Sequence, residues 1–169
     1  FEKKKLMSWI LGIVGFNKFP VKKFISENKL LFKYESEELN IYAGGTNDTL
    51  FCQSFGINSG CITSGIGFTN QNGSYNFFSI GYYEELHSDL KKREEINGHF
   101  ISVKWNGSHL KFLNDIYGLR DLFFINVEET LIFTTRLDFL NYFTKKNELN
   151  LTEFASNWLL SIPFSHDSL

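Results

Sequence analysis

Asn106-Gly107 stands between two runs in which apolar and polar side chains alternate, His99 to Trp105 and Leu110 to Asn114. Asn and Gly enter the left-handed backbone region at little cost, and the tight turns that match the twist of paired strands need that region, so the segment predicts a β-hairpin. A second hairpin is predicted directly after it, with Leu122 to Val127 and Thr130 to Thr134 flanking Glu128-Glu129. Connections this short join only antiparallel strands, because a parallel pair needs a crossover of roughly a dozen residues.

Upstream, Ile10 to Phe16 reads as a buried strand with close backbone approach at Gly12 and Gly15. Val21, Phe24, Ile25 and Leu31 recur near helical spacing and predict a short basic amphipathic helix over 21–33. Strands are predicted at Glu38 to Tyr42, Thr49 to Ser54 and Cys61 to Phe68, with turns at Gly44-Gly45 and Asn58-Ser59-Gly60. Asn70 to Ser74 is a further turn, Tyr75 to Tyr83 a strand, and Glu84 to Glu95 a solvated helix or loop. Leu137 to Phe143 and Thr152 to Leu160 read as helices. Strands first and helices last, without strand-helix-strand alternation, predict an α+β fold with antiparallel sheets. Strands rich in aromatic residues need a second apolar layer, which predicts burial of Phe100, Val103, Phe112, Phe124 and Phe133.

At 169 residues the chain is expected to form one domain, with residues 1–6 a tag or an extension. A formal charge of −2 gives no excess of Lys and Arg to neutralise phosphates, so nucleic acid is not an expected partner. Cys52 and Cys61 have neither metal-ligand spacing nor a framework around them, and no disulfide between them is expected. His87, His99, His109 and His166 are scattered without a carboxylate at ligand spacing, so they read as surface or turn residues and no metal is expected. The apolar stretch Leu6 to Phe16 is too short to span a bilayer and lacks a signal-peptide cleavage pattern, so the expected setting is the cytoplasm, with no membrane partner.

Several motifs in chain order carry a resemblance. Met7-Ser8-Trp9-Ile10-Leu11-Gly12-Ile13-Val14-Gly15 opens the chain's first strand, and Ile96-Asn97-Gly98-His99-Phe100 enters a later one. Asp115-Ile116-Tyr117-Gly118-Leu119-Arg120-Asp121-Leu122-Phe123-Phe124 forms a turn into the second hairpin, and Phe133-Thr134-Thr135-Arg136 closes it. With Leu149 to Leu160 and Pro163 to Leu169 after them, these resemble the N-terminal glutaminase domain of asparagine synthetases and other class II glutamine amidotransferases. The resemblance implies an αββα four-layer sandwich of two antiparallel sheets, as in the N-terminal-nucleophile hydrolases. It implies Ser8 at the position of the family's nucleophilic cysteine, and Asn72 and Gly73 as the pair that would form the oxyanion hole. It further implies a synthetase domain following Leu169 as partner, with ATP and Mg used there and no cofactor in this domain, and it allows a homodimer.

The chemistry argues that glutaminase activity is lost. A thiol is partly ionised near neutral pH, whereas the Ser8 hydroxyl needs a positioned base. Behind Met7 the Ser8 nitrogen is an amide without a basic lone pair. The arginines are Arg93, Arg120 and Arg136, none of them early in the chain where the family clamps the glutamine carboxylate, and Arg120 is expected to hold its own turn. Trp9 is expected to crowd the nucleophile's pocket. The resulting expectation is a degenerate glutaminase-like domain acting as a structural or docking half of an ATP-dependent amide-forming protein. Two other expectations stand beside it: a hydrolase that exposes Ser8 as nucleophile and amine by self-cleavage, and an unrelated binding module.

Overall fold

The structure, a computed structural model, describes residues 7–15, 21–71, 74–77, 96–107 and 109–144. The chain opens with β1 (Trp9–Val14), α1 (Val21–Glu27), β2 (Leu30–Glu35) and β3 (Leu39–Gly44). A 3-10 turn at Asn47–Thr49 leads into β4 (Leu50–Gly56), β5 (Ser59–Gln71) and β6 (Ser74–Phe77). Then come β7 (Ile96–Asn106), β8 (His109–Asn114), β9 (Phe123–Val127), β10 (Thr130–Thr134) and the single turn of α2 (Leu137–Leu140). The first sheet has the order β2-β3-β1-β10-β9 and the second β4-β5-β7-β8, with β6 also paired to β5, and every pairing is antiparallel.

β1 is the centre of the first sheet, and its side chains are buried on both faces, which explains why its sequence is an apolar run without polar alternation. Ile10 points between the sheets, where it joins Leu39, Ile41, Ala43 and Phe133 of the first sheet and Ile62, Ile101, Val103 and Trp105 of the second. Trp9, Leu11 and Ile13 point the other way and pack with Phe24 of α1 and Phe139 and Leu140 of α2. Trp9 meets the rings of Phe24 and Phe139 edge-on, at centroid distances of 5.5 and 4.9 Å. Gly12 lies opposite Phe133 in the β1–β10 ladder, and a Cβ built on it would stand 1.9 Å from the Phe133 ring, so the ring occupies the space that any side chain at position 12 would need.

The expected α+β fold, with helical layers on both outer faces, is corrected by this architecture. Among the described residues 60% are strand and 12% helix, which is closer to all-β than to an αββα four-layer sandwich. The physical reason is visible at 28–35. Helical spacing predicted one helix across 21–33, but Leu30, Phe32 and Tyr34 alternate with the more exposed Leu31, Lys33 and Glu35, and this period of two makes the segment a strand. Helix α1 ends at Glu27, where the backbone and side-chain amides of Asn28 both donate to the Phe24 carbonyl at 3.0 Å. The helix expected at Thr152 to Leu160 and the segment Glu84 to Glu95 lie outside the described residues.

Both predicted C-terminal hairpins form. In the first, Trp105 pairs with Leu110 at the expected strand ends, and Asn106, expected in the turn, extends the ladder by pairing with His109, so that Gly107, at φ +58°, begins the turn. In the second, Thr130 pairs with Val127 as expected, and Glu128 takes φ +58°. Phe100, Val103 and Phe133 are buried and Phe112 partly so, but Phe124 is 50% exposed. Phe124 pairs with Phe133 and touches Phe112 with ring centroids 5.4 Å apart, so its inward direction was legible; β9, however, is an edge strand and leaves one flank of the ring uncovered.

Gly12→Ala is expected to destabilise the protein by about 1–3 kcal/mol through overpacking against Phe133. The same substitution in a Phe133→Leu background should cost clearly less, as read from urea unfolding midpoints; equal costs in both backgrounds would show that the ring does not set the requirement.

Candidate functional site

Ser8 lies one residue before β1, and the alternation of the strand directs its side chain with Ile10 toward the second sheet rather than with Trp9 toward the helices. It is buried, and three parts of the chain meet it there. Its backbone N–H donates to Thr49 Oγ1 at 3.2 Å, its hydroxyl donates to the Thr49 carbonyl at 2.5 Å, and its Oγ lies 2.8 Å from Ser64 Oγ on β5. Gly45, at φ +98°, allows this approach, since a Cβ there would stand 2.5 Å from the Met7 carbonyl oxygen and 2.8 Å from Ser8 Cα.

The fourth component is Arg120, carried by the connection from β8 to β9. Asp115 builds that connection: its Oδ1 accepts from the Tyr117 and Leu119 amides at 3.2 and 3.0 Å, and its Oδ2 from the Arg120 amide at 3.3 Å. The Asn114 side-chain amide donates to the Arg120 carbonyl at 3.0 Å, and His99 Nε2 donates to the Leu119 carbonyl at the same distance. The turn is therefore held by Asp115 and its neighbours, not by the guanidinium as the sequence led us to expect. Arg120 instead sends Nη2 into the interior, where it donates to the Ser8 carbonyl and, at 2.8 Å, to Ser64 Oγ. Burial lowers the Arg120 pKa from its usual value, but an arginine remains a cation across the physiological range.

These bonds fix the direction of the hydroxyl protons. With Arg120 Nη2 donating to Ser64 Oγ, and the Ser8 hydroxyl donating to the Thr49 carbonyl, the Ser64 hydroxyl is left to donate to Ser8 Oγ. The partners of Ser8 Oγ are thus a carbonyl and a hydroxyl, neither of which is a base able to take its proton. Beside this cluster is a cavity of about 430 Å³ whose wall includes Ser8, His99, Leu119, Arg120, Asp121 and Arg136. Arg136 is engaged with the Asp138 carboxylate and lies over the Phe139 ring, 4.4 Å from its centroid. A second hollow, of about 350 Å³, also has Arg120 and Asp121 in its wall.

Of the expected site residues, Ser8 is at the centre of this cluster, while Asn72 and Gly73 lie outside the described residues. Trp9 does not crowd the cavity; the same alternation that directs Ser8 inward turns the indole to the opposite face of the sheet. His99, read as a surface or turn residue, is half-buried in the cavity wall. Thr49 and Ser64 were not anticipated. Ser64 did leave a signal, since it is a hydroxyl at the inward parity set by Ile62 in an otherwise apolar strand face. Cys52 and Cys61 form no disulfide, and Cys61 Sγ lies 3.4 Å from Ser102 Oγ. Among the described residues no group of three or more His, Cys, Asp or Glu could hold a metal ion, and no helix is long and apolar enough to cross a membrane. No protein-family model, curated protein or solved structure matches the chain.

Ser8→Ala and Ser64→Ala are each expected to cost about 1–3 kcal/mol, because each leaves buried polar partners unsatisfied. The double variant should cost less than the sum by about 1 kcal/mol, since the two hydroxyls serve one chain of donors. Additive unfolding free energies would show that Ser8 and Ser64 are not coupled.

Proposed function

We propose that the chain is a glutaminase-like domain that does not hydrolyse glutamine and serves as a structural or docking half of an amide-forming protein. The observation that carries this reading is convergence. The four motifs that resemble the glutaminase domain are separated by up to about 120 residues in sequence, yet each contributes to one cavity: Ser8 from the first, His99 from the second, Leu119, Arg120 and Asp121 from the third, and Thr135 and Arg136 from the fourth.

The loss of hydrolysis is supported by the condition of Ser8. An acyl-transfer nucleophile needs an accessible lone pair, a base within hydrogen-bond reach and donors aimed at the developing oxyanion. Ser8 is 1% exposed, accepts from one hydroxyl, and gives its own proton to a backbone carbonyl. Its nitrogen is an amide that donates to Thr49 Oγ1 rather than an amine able to carry a proton. What remains useful is the shape and rigidity of the domain. A synthetase domain joined to it is the partner this reading implies, and ATP and Mg belong to that partner.

The purified chain is expected to release no glutamate from glutamine above the uncatalysed rate. Ser8→Cys, with residues 1–7 removed so that the cysteine is N-terminal, is expected to remain inactive, because the donor chain around position 8 persists. Turnover at an ordinary enzymatic rate by that variant would overturn the assignment of lost activity. An intact mass that begins at Ser8, together with hydrolysis of an amide, would favour instead the self-cleaving hydrolase.

A further inference from the structure

We infer that the second hollow, between the end of β8 and the start of β9, is a binding site for a small neutral aromatic molecule that carries one O–H or N–H donor. The hollow measures about 350 Å³, and its wall includes Ile101, Phe112, Leu122 and Phe124 together with Arg120 and Asp121. Ser8 and His99 line the other cavity, so the inference does not depend on the glutaminase-like reading. Ile101 is 1% exposed and belongs, with Phe112 and Leu122, to the apolar layer between the sheets. The hollow is therefore an opening into that layer. Phe124 lines it and is 50% exposed, so its ring still has surface to offer a ligand.

The wall selects the ligand by ring geometry and by charge. A volume of this size stands at the lower end of the range for small-molecule sites, roughly 300–1,000 Å³, and admits a single ring. Phe112 already meets Phe124 edge-on at 5.4 Å and Phe133 edge-on at 4.8 Å, with interplanar angles of 86° and 81°. In such pairs the positive edge of one ring lies against the negative face of the next, an attraction that an aliphatic guest of the same size does not provide. A further ring against Phe124 extends the same arrangement. Arg120 and Asp121 place one positive and one negative group in the wall, so an ionic ligand of either sign meets a like charge and loses hydration against the apolar side. A neutral molecule avoids both costs, and the Asp121 carboxylate can accept its single donated proton.

The test titrates phenol, uncharged near neutral pH, and cyclohexanol, an aliphatic alcohol of similar size, into the isotopically labelled chain. The methyl resonances of Ile101 and Leu122 are the readout, assigned with Ile101→Val and Leu122→Ile. Phenol is expected to shift both saturably and to bind about fivefold more tightly than cyclohexanol. The methyls of Ile13 and Ile132, which pack on the helix side of the first sheet, should not move. Phe124→Leu is expected to abolish the preference for phenol; where that variant fails to fold, the wild-type comparison decides alone. Benzoate and benzylammonium should each bind more weakly than phenol. No saturable shift, or equal shifts at Ile13 and Ile132, overturns the site. Equal affinity for phenol and cyclohexanol, or a preference that survives Phe124→Leu, overturns the aromatic assignment, and tighter binding of either ion overturns the neutral one. None of these readouts depends on glutamine turnover, so a glutaminase-active Ser8→Cys variant would leave this site standing while overturning the proposal of lost hydrolysis.

Discussion

The guanidinium of Arg120 ties the two sheets together at the end of the sandwich where the cavity lies. One of its nitrogens bonds to the carbonyl of Ser8, ahead of the central strand of the first sheet, and to the hydroxyl of Ser64 within the second. Away from this end the described residues of the two sheets meet in an apolar layer that includes Ile10, Ile41, Ile62, Val103, Trp105 and Phe133. Apolar contact is strong but non-directional and tolerates sliding. Hydrogen bonds from a planar cation to two fixed oxygens do not, so the polar cluster sets the register between layers that the core merely presses together.

That bond is made possible by a succession of local constraints. The β7–β8 hairpin sets where Asn114 and Asp115 emerge, and the Asp115 carboxylate winds residues 117–120 around itself. His99 on β7 fastens the crest of the loop through the Leu119 carbonyl. Each step uses a short-range feature of the sequence to fix a side chain that acts at long range, and the aspartate and arginine of the loop have separate duties: one organises the turn, the other joins the sheets.

Short-range order was therefore the part of the fold most legible in the sequence. Alternation and turn residues located the two C-terminal hairpins, and the apolar run at Ile10 located the buried central strand. The readings that failed did so where two periodicities competed or where position within the sheet decided the outcome. Residues 30–35 carry enough scattered apolar character to mimic a helix until the alternation is read as a strand, and Phe124 faces the correct layer but sits on an edge strand. Within the site, Ser8 could be singled out from its motif, whereas Arg120 was expected to hold its own turn and instead reaches Ser8 and Ser64. Thr49 left no signal and Ser64 only its inward parity, because the 3-10 turn between the sheets and the pairing of β5 into the second sheet are what bring their oxygens to Ser8.

Stability and reactivity make opposite demands on position 8. A hydroxyl that closes a chain of donors is stabilised by being buried and fully bonded, whereas a nucleophile is useful only if a lone pair is exposed and a base waits for its proton. Here the donor chain begins at a permanent cation and ends at a backbone carbonyl, so every hydroxyl along it has a fixed direction. To free Ser8 for attack would mean reversing that direction and withdrawing bonds from Ser64 and Thr49 at once. Arg120 in the wall of the cavity is part of the same chain, since its Nη2 bonds to the Ser8 carbonyl and to Ser64 Oγ, so the bonds that hold this end of the sandwich together are the ones that keep the Ser8 hydroxyl from acting as a nucleophile.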